Sequence, residues 1–72
     1  MGYRVRVWEN NNGNSTCTWD VMHKKIVDAR EDFQGQLKRL RKVCLPRKIG
    51  DDYYIFESKN YAADLELRRW DV

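Results

Sequence analysis

Between Thr18 and Val43 the apolar residues Trp19, Met22, Ile26, Ala29, Phe33, Leu37 and Leu40 recur at steps of three and four, the spacing that lines up one face of an α-helix. A single amphipathic helix of that length would dominate a chain of 72 residues, because most of the remaining apolar surface must pack on its stripe. Thr18 is suited to cap such a helix, and Asp20 in its first turn would complement the positive end of the dipole. Gly35 falls mid-helix and away from the stripe, where a kink is expected rather than a packing role. Pro46 stops the helix soon after Val43, and Leu45 to Asp52 reads as a connecting loop.

Strands flank this helix. Tyr3-Arg4-Val5-Arg6-Val7-Trp8 alternates strictly, with Tyr3, Val5 and Val7 on one face and Arg4, Arg6 and Trp8 on the other, so it predicts a strand with one buried face. Glu9 to Ser15 is a polar loop of turn-forming residues; a second strand through Thr16 to Trp19 would make it a hairpin loop. Tyr53-Tyr54-Ile55-Phe56 predicts a second strand, apolar on both faces. Such a strand is either interior and covered on both sides, or has an outer face that meets a partner. The last segment, Tyr61 to Trp70, is rich in Ala, Leu, Glu and Arg, which favours helix. Leu65 and Leu67, however, share one face only in a strand. The expected class is α+β: one domain over residues 1–72, a small sheet of two or three strands packed on one long amphipathic helix, in the order βαβα with βαββ as the alternative.

Seventy-two residues give a thin core, since a chain near this size buries only about 60% of the surface its unfolded form exposes. Hydrophobic residues at 42%, including three Trp, four Tyr and two Phe, exclude a disordered chain. No run approaches the roughly 18 apolar residues of a membrane span, and the first residues do not resemble a signal peptide, so the expected location is cytoplasmic with no membrane partner. If Cys17 and Cys44 sit near opposite ends of the long helix they are far beyond disulfide reach, and two thiols are expected.

The segment Tyr54-Ile55-Phe56-Glu57-Ser58-Lys59-Asn60-Tyr61-Ala62-Ala63-Asp64-Leu65-Glu66-Leu67-Arg68-Arg69-Trp70 resembles the strand, turn and Ala-containing C-terminal segment of small accessory proteins of tailed bacteriophages, in which an upstream Trp-bearing helix is also usual. It departs from them in having Tyr61 where an acid precedes the alanine, and Leu65 where an aromatic stands. The resemblance implies a phage or mobile-element protein working in a bacterial cytoplasm, and it carries no catalytic residue across.

The net charge of +3 is unevenly spread. From Gln34 to Gly50 there are six basic residues (Lys38, Arg39, Arg41, Lys42, Arg47 and Lys48) and no acid, while the rest of the chain is net acidic. Basic residues near a helix C-terminus interact favourably with its dipole, by about 0.3–1 kcal/mol each. Clustered, they can also hold phosphates, and Arg4, Arg6 and Trp8 would add a stacking aromatic if they face the same way. These nine residues are the candidate partner- or nucleic-acid-binding set. A second candidate surface is the aromatic and Arg set Trp8, Tyr53 or Tyr54, Phe56, Tyr61 and Trp70 with Arg4, Arg6, Arg68 and Arg69, the residue types that dominate protein interfaces.

Catalytic constellations are missing. There is no nucleophile elbow or P-loop. Two Cys and the single His23 fall short of a zinc site, and Asp51-Asp52 reads as solvated loop. No cofactor or metal is expected, and no enzymatic activity. The leading expectation is a small non-enzymatic protein-binding protein, a phage-encoded inhibitor of a bacterial defence or nucleic-acid-processing complex that acts by steric blocking. Its partner would be a larger host protein or nucleoprotein complex, with a homodimer as a further way to cover the aromatic surface. The alternative is direct RNA or DNA binding through the basic end of the helix.

Overall fold

The computed structural model describes residues 2–70 and corrects the expected architecture. The chain runs β1 (Gly2–Asn11), β2 (Asn14–His23), α1 (Ile26–Arg41), β3 (Pro46–Gly50), β4 (Tyr53–Ser58) and β5 (Tyr61–Trp70). The five strands form one antiparallel sheet in the order β2-β1-β5-β4-β3. A mostly β protein with one 16-residue helix replaces the small sheet on a long helix, and neither βαβα nor βαββ holds.

The largest correction lies at the first turn. Asn12 and Gly13 both take positive φ, 53° and 89°, the pattern of the tight turn whose twist matches that of the flanking strands. The Asn10 side chain locks it, accepting from the Gly13 N–H at 3.0 Å and donating to Ser15 Oγ at 3.0 Å. β1 and β2 are therefore the arms of a hairpin ten residues long on each side. Trp19 and Met22, read as the first helical positions, belong to β2, where β-branched and aromatic residues fit the pleat. Thr18 is no helix cap; it is the extra residue of a bulge, because Val7 pairs with Trp19 but Trp8 with Cys17. Asp20 bonds to Arg4 of the neighbouring strand instead of stabilising a helix end. The helix starts after Lys25, which makes no side-chain cap, and carries Asp28 in its first turn. Cys17 and Cys44 are both free thiols, on a strand and beyond the helix rather than at the two ends of one rod.

From Ile26 to Arg41 the helical reading holds, two residues short of the expected end at Val43. Ala29, Phe33, Leu37 and Leu40 are buried on the sheet. They meet Val5 and Val7 of β1, Phe56 of β4, and Ala63, Leu65 and Leu67 of β5 in a single core. The helix lies over β1, β5 and β2, and Phe33 reaches Tyr54 of β4, ring centroids 5.8 Å apart and planes tilted by 50°. Burial of Ala63, Leu65 and Leu67 on alternate residues settles the last segment as a strand. It pairs with β1 along its whole length, from Gly2↔Trp70 to Asn11↔Tyr61. Helix propensity there amounts to a few tenths of a kcal/mol per residue, less than about 1.5–3 kcal/mol for each large side chain buried. β3 was expected to be loop.

Gly35 produces no kink, since α1 is continuous through it, and a Cβ built there would meet nothing within 4 Å. Gly35→Ala is therefore expected to stabilise the protein by about 0.5–1 kcal/mol, read as a raised Tm in thermal denaturation.

A polar hub fastens the helix to the sheet. The Glu9 carboxylate accepts from Thr18 Oγ1 and from Tyr61 Oη (2.5 Å), and lies 3.6 Å from Arg39 Nη2. Burial pushes its pKa upward, but the hydrogen bonds from Thr18 and Tyr61 and the charge of Arg39 outweigh it and hold Glu9 below its ordinary value of 4.5. The unfolded chain thus takes up this proton more readily than the native one. The hub's contribution is present above about pH 4.5 and is lost as pH falls through the lowered native value. Below pH 4.5 the Tm of the native sequence should fall more steeply with acid than that of Glu9→Gln, which starts lower at neutral pH.

Candidate functional site

One face of the sheet carries α1 and the other carries no second layer among the described residues. Strand alternation and register decide what stands on that open face: Arg4, Arg6 and Trp8 from β1, Cys17, Asp20 and Met22 from β2, Ala62, Asp64, Glu66, Arg68 and Trp70 from β5, Tyr53, Ile55 and Glu57 from β4, and Arg47 from β3. The nine residues singled out from the sequence are thereby divided between two sides of the molecule. Arg4, Arg6, Trp8 and Arg47 lie on the open face, while Lys38, Arg39 and Arg41 lie on the helix, Lys42 at its C-cap and Lys48 on the helix side of β3. Trp8 therefore does not join the basic end of the helix as a stacking platform.

Most arginines of the open face are already engaged. Arg4 donates through Nε and Nη2 to the two Asp20 oxygens at 2.7 and 2.6 Å and lies 5.7 Å over the Trp70 ring. This pairing raises the Arg4 pKa and lowers that of Asp20, the hydrogen bond being the leading cause of each. Arg6 pairs with Glu66 at 3.5 Å and Arg47 with Glu57 at 3.3 Å. Among these charges stand apolar groups open to solvent: Trp8 at 41% exposure, Trp70 at 40% and Met22 at 52%.

Trp8, Tyr53, Ile55, Ala62 and Asp64 line a shallow groove of about 240 Å³ at the middle of this face. The row Trp8, Asp64, Ile55 runs straight across three neighbouring strands. β4 is apolar on both faces as expected but is not covered on both: Tyr54 and Phe56 turn to the core, while Tyr53 and Ile55 turn to the uncovered side.

The basic end of the helix is smaller than its sequence suggests. Arg39 folds back onto Gln36 Oε1 (2.9 Å) and Glu9, and Lys48 pairs with Asp51 at 3.2 Å. Lys38, Arg41 and Lys42 remain exposed, with no ion pair among the described residues.

At the other end of the helix, Asp32 Oδ2 bonds to His23 Nε2 at 2.7 Å and accepts from Trp19 Nε1 at 3.1 Å, tying β2 to α1. The single histidine is thus held by Asp32, and among the described residues this contact consists of His23, Asp32 and Trp19. No group of three metal-ligating side chains occurs among the described residues, and no helix there is long and apolar enough to cross a membrane. Comparison with models of protein families, with curated proteins and with solved structures returned no match, so the functional reading rests on the geometry of this chain.

Proposed function

We propose that the chain is a non-enzymatic protein-binding protein whose contact surface is the open face of its sheet. The observation that carries this reading is a sheet face without a covering layer among the described residues that presents Trp8, Tyr53, Ile55, Met22 and Trp70 among arginines of which Arg4, Arg6 and Arg47 are each paired with a carboxylate. Aromatic residues and arginine are the types enriched at interface hot spots, whereas locally neutral charge offers little to a polyphosphate. Five strands about 4.8 Å apart and up to about 33 Å long give a face on the order of 600–800 Å², close to the roughly 800 Å² that one partner contributes to a stable complex. With no catalytic constellation beside it, the face would act by occupying a surface of a larger protein. That is the mode of an inhibitor, and the resemblance to phage accessory proteins suggests a host defence or nucleic-acid-processing complex as target.

One observation favours a second reading, direct RNA or DNA binding: Lys38, Arg41 and Lys42 are exposed at the helix end and have no ion pair among the described residues. Salt separates the two. A tagged chain should retain a stoichiometric protein from bacterial lysate after nuclease treatment and through a rise to moderate salt. Phosphate binding by three cations would instead weaken steeply with salt, with a slope of about −2.7 in log K against log salt for duplex DNA. Recovery of nuclease-sensitive material alone would transfer the function to the helix end.

A further inference from the structure

We infer that the groove between Trp8 and Tyr53 takes the guanidinium of an arginine side chain presented by the protein partner, with Asp64 as its counter-ion. This rests on the open sheet face being the binding surface, and it names what the partner must place there.

Charge complementarity carries the inference. Each of the other carboxylates set along the middle of this face has a cation: Asp20 has Arg4, Glu66 has Arg6 and Glu57 has Arg47. Asp64 stands half-buried in the lining of the groove with no hydrogen bond or ion pair among the described residues. Arg6, the cation whose charge reaches it, is paired with Glu66. A carboxylate drawn partly out of water without a partner opposes folding. Burial lifts the pKa of Asp64, the charge of Glu66 adds to this, and Arg6 only partly offsets it. Tyr53 responds to the same surroundings, its phenol pushed up by burial and by the charges of Asp64 and Glu66. The groove is thus a locally negative spot with aromatic walls on an otherwise balanced face.

That combination suits a guanidinium better than an ammonium. A guanidinium is planar and weakly hydrated, stacks on an aromatic ring, and can give a carboxylate two parallel hydrogen bonds. The groove volume of about 240 Å³ is several times the roughly 30 Å³ occupied by one liquid water, so it has room for a long side chain rather than for a solvent molecule alone.

The test uses the full chain, labelled with ¹⁵N, titrated with a blocked Gly-Gly-Arg-Gly-Gly peptide and followed through the indole N–H of Trp8 and the Asp64 amide. Parallel titrations use the same peptide with citrulline, neutral and of the same shape, and with lysine. The expected result is a saturable shift at Trp8 and Asp64 with the arginine peptide, at least tenfold weaker binding of the lysine peptide, and none of the citrulline peptide. Asp64→Asn should abolish the response while keeping or raising the Tm, since it removes a carboxylate that the fold does not use. Equal shifts with citrulline, equal affinity for lysine, an unchanged response in Asp64→Asn, or no saturable shift at Trp8 would each overturn the inference. A chain that loses its captured protein when Trp8 and Tyr53 are removed, yet ignores the arginine peptide, refutes this inference and leaves the binding face standing. Capture that survives removal of Trp8 and Tyr53 refutes the face itself.

Discussion

Replacing Phe33 by alanine should cost about 3–5 kcal/mol, the range for a fully buried phenylalanine that leaves a cavity behind. Phe33 is 2% exposed, packs on Tyr54, and sits at the centre of the contact between α1 and the sheet. At about 0.05–0.15 kcal/mol per residue, a chain of 72 residues holds roughly 4–11 kcal/mol in total. The variant is therefore expected to be largely unfolded near body temperature, with loss of near-ultraviolet circular dichroism and of a cooperative thermal transition. A Tm within a few degrees of the parent would mean that the helix does not pack through this face.

The second large effect concerns binding and leaves the fold in place. Trp8 projects from β1 on the side away from the core, so Trp8→Ala removes little that the folded chain needs. At a desolvated interface centre, truncation of a tryptophan typically costs 2 kcal/mol or more, about 30-fold in affinity. The expected outcome for Trp8→Ala is thus a near-parental Tm with at least a 30-fold weaker complex. Tyr53→Ala should act in the same direction, and because both side chains line one groove their effects should not simply add. A variant that loses stability and affinity together would place Trp8 in the core instead.

How much of this was legible in the sequence depended on where each signal came from. The stripe Ala29, Phe33, Leu37, Leu40 was readable because helical spacing is local and these residues do occupy one helix face. Its false extension to Trp19 and Met22 arose because steps of three and four toward Ile26 coexist with the alternation Trp19, Val21, His23 on β2. Asn12-Gly13, whose positive φ angles suit a tight hairpin turn, decides between the two patterns. That dipeptide was the available signal for β2, and it was absorbed into a polar loop. In the last segment, Leu65 and Leu67 already pointed to a strand. Residue-by-residue helix propensity favoured the other answer, which lost to burial against Val5, Val7 and the helix.

The binding face shows the same division. Trp8, Arg4 and Arg6 could be placed on one side of a strand from alternation alone. That Asp20, Glu66 and Glu57 neutralise Arg4, Arg6 and Arg47, and that Asp64 is left without an ion pair among the described residues, follows from the register of residues up to 60 positions apart in sequence, as in Arg6 facing Glu66 and Trp8 facing Asp64. No local pattern encodes it. The basic run from Lys38 to Lys48 was legible as composition but misleading as a surface, because the chain turns within it and delivers Arg47 to the opposite face of the sheet.

The most direct test of the open sheet face as the binding surface compares two folded variants in one capture experiment on nuclease-treated lysate at moderate salt. One carries Trp8→Ala and Tyr53→Ala on the open sheet face; the other carries Lys38→Glu, Arg41→Glu and Lys42→Glu at the helix end. The first is expected to lose the captured protein and the second to retain it. Retention by the first with loss by the second would place the function on the helix and contradict the account.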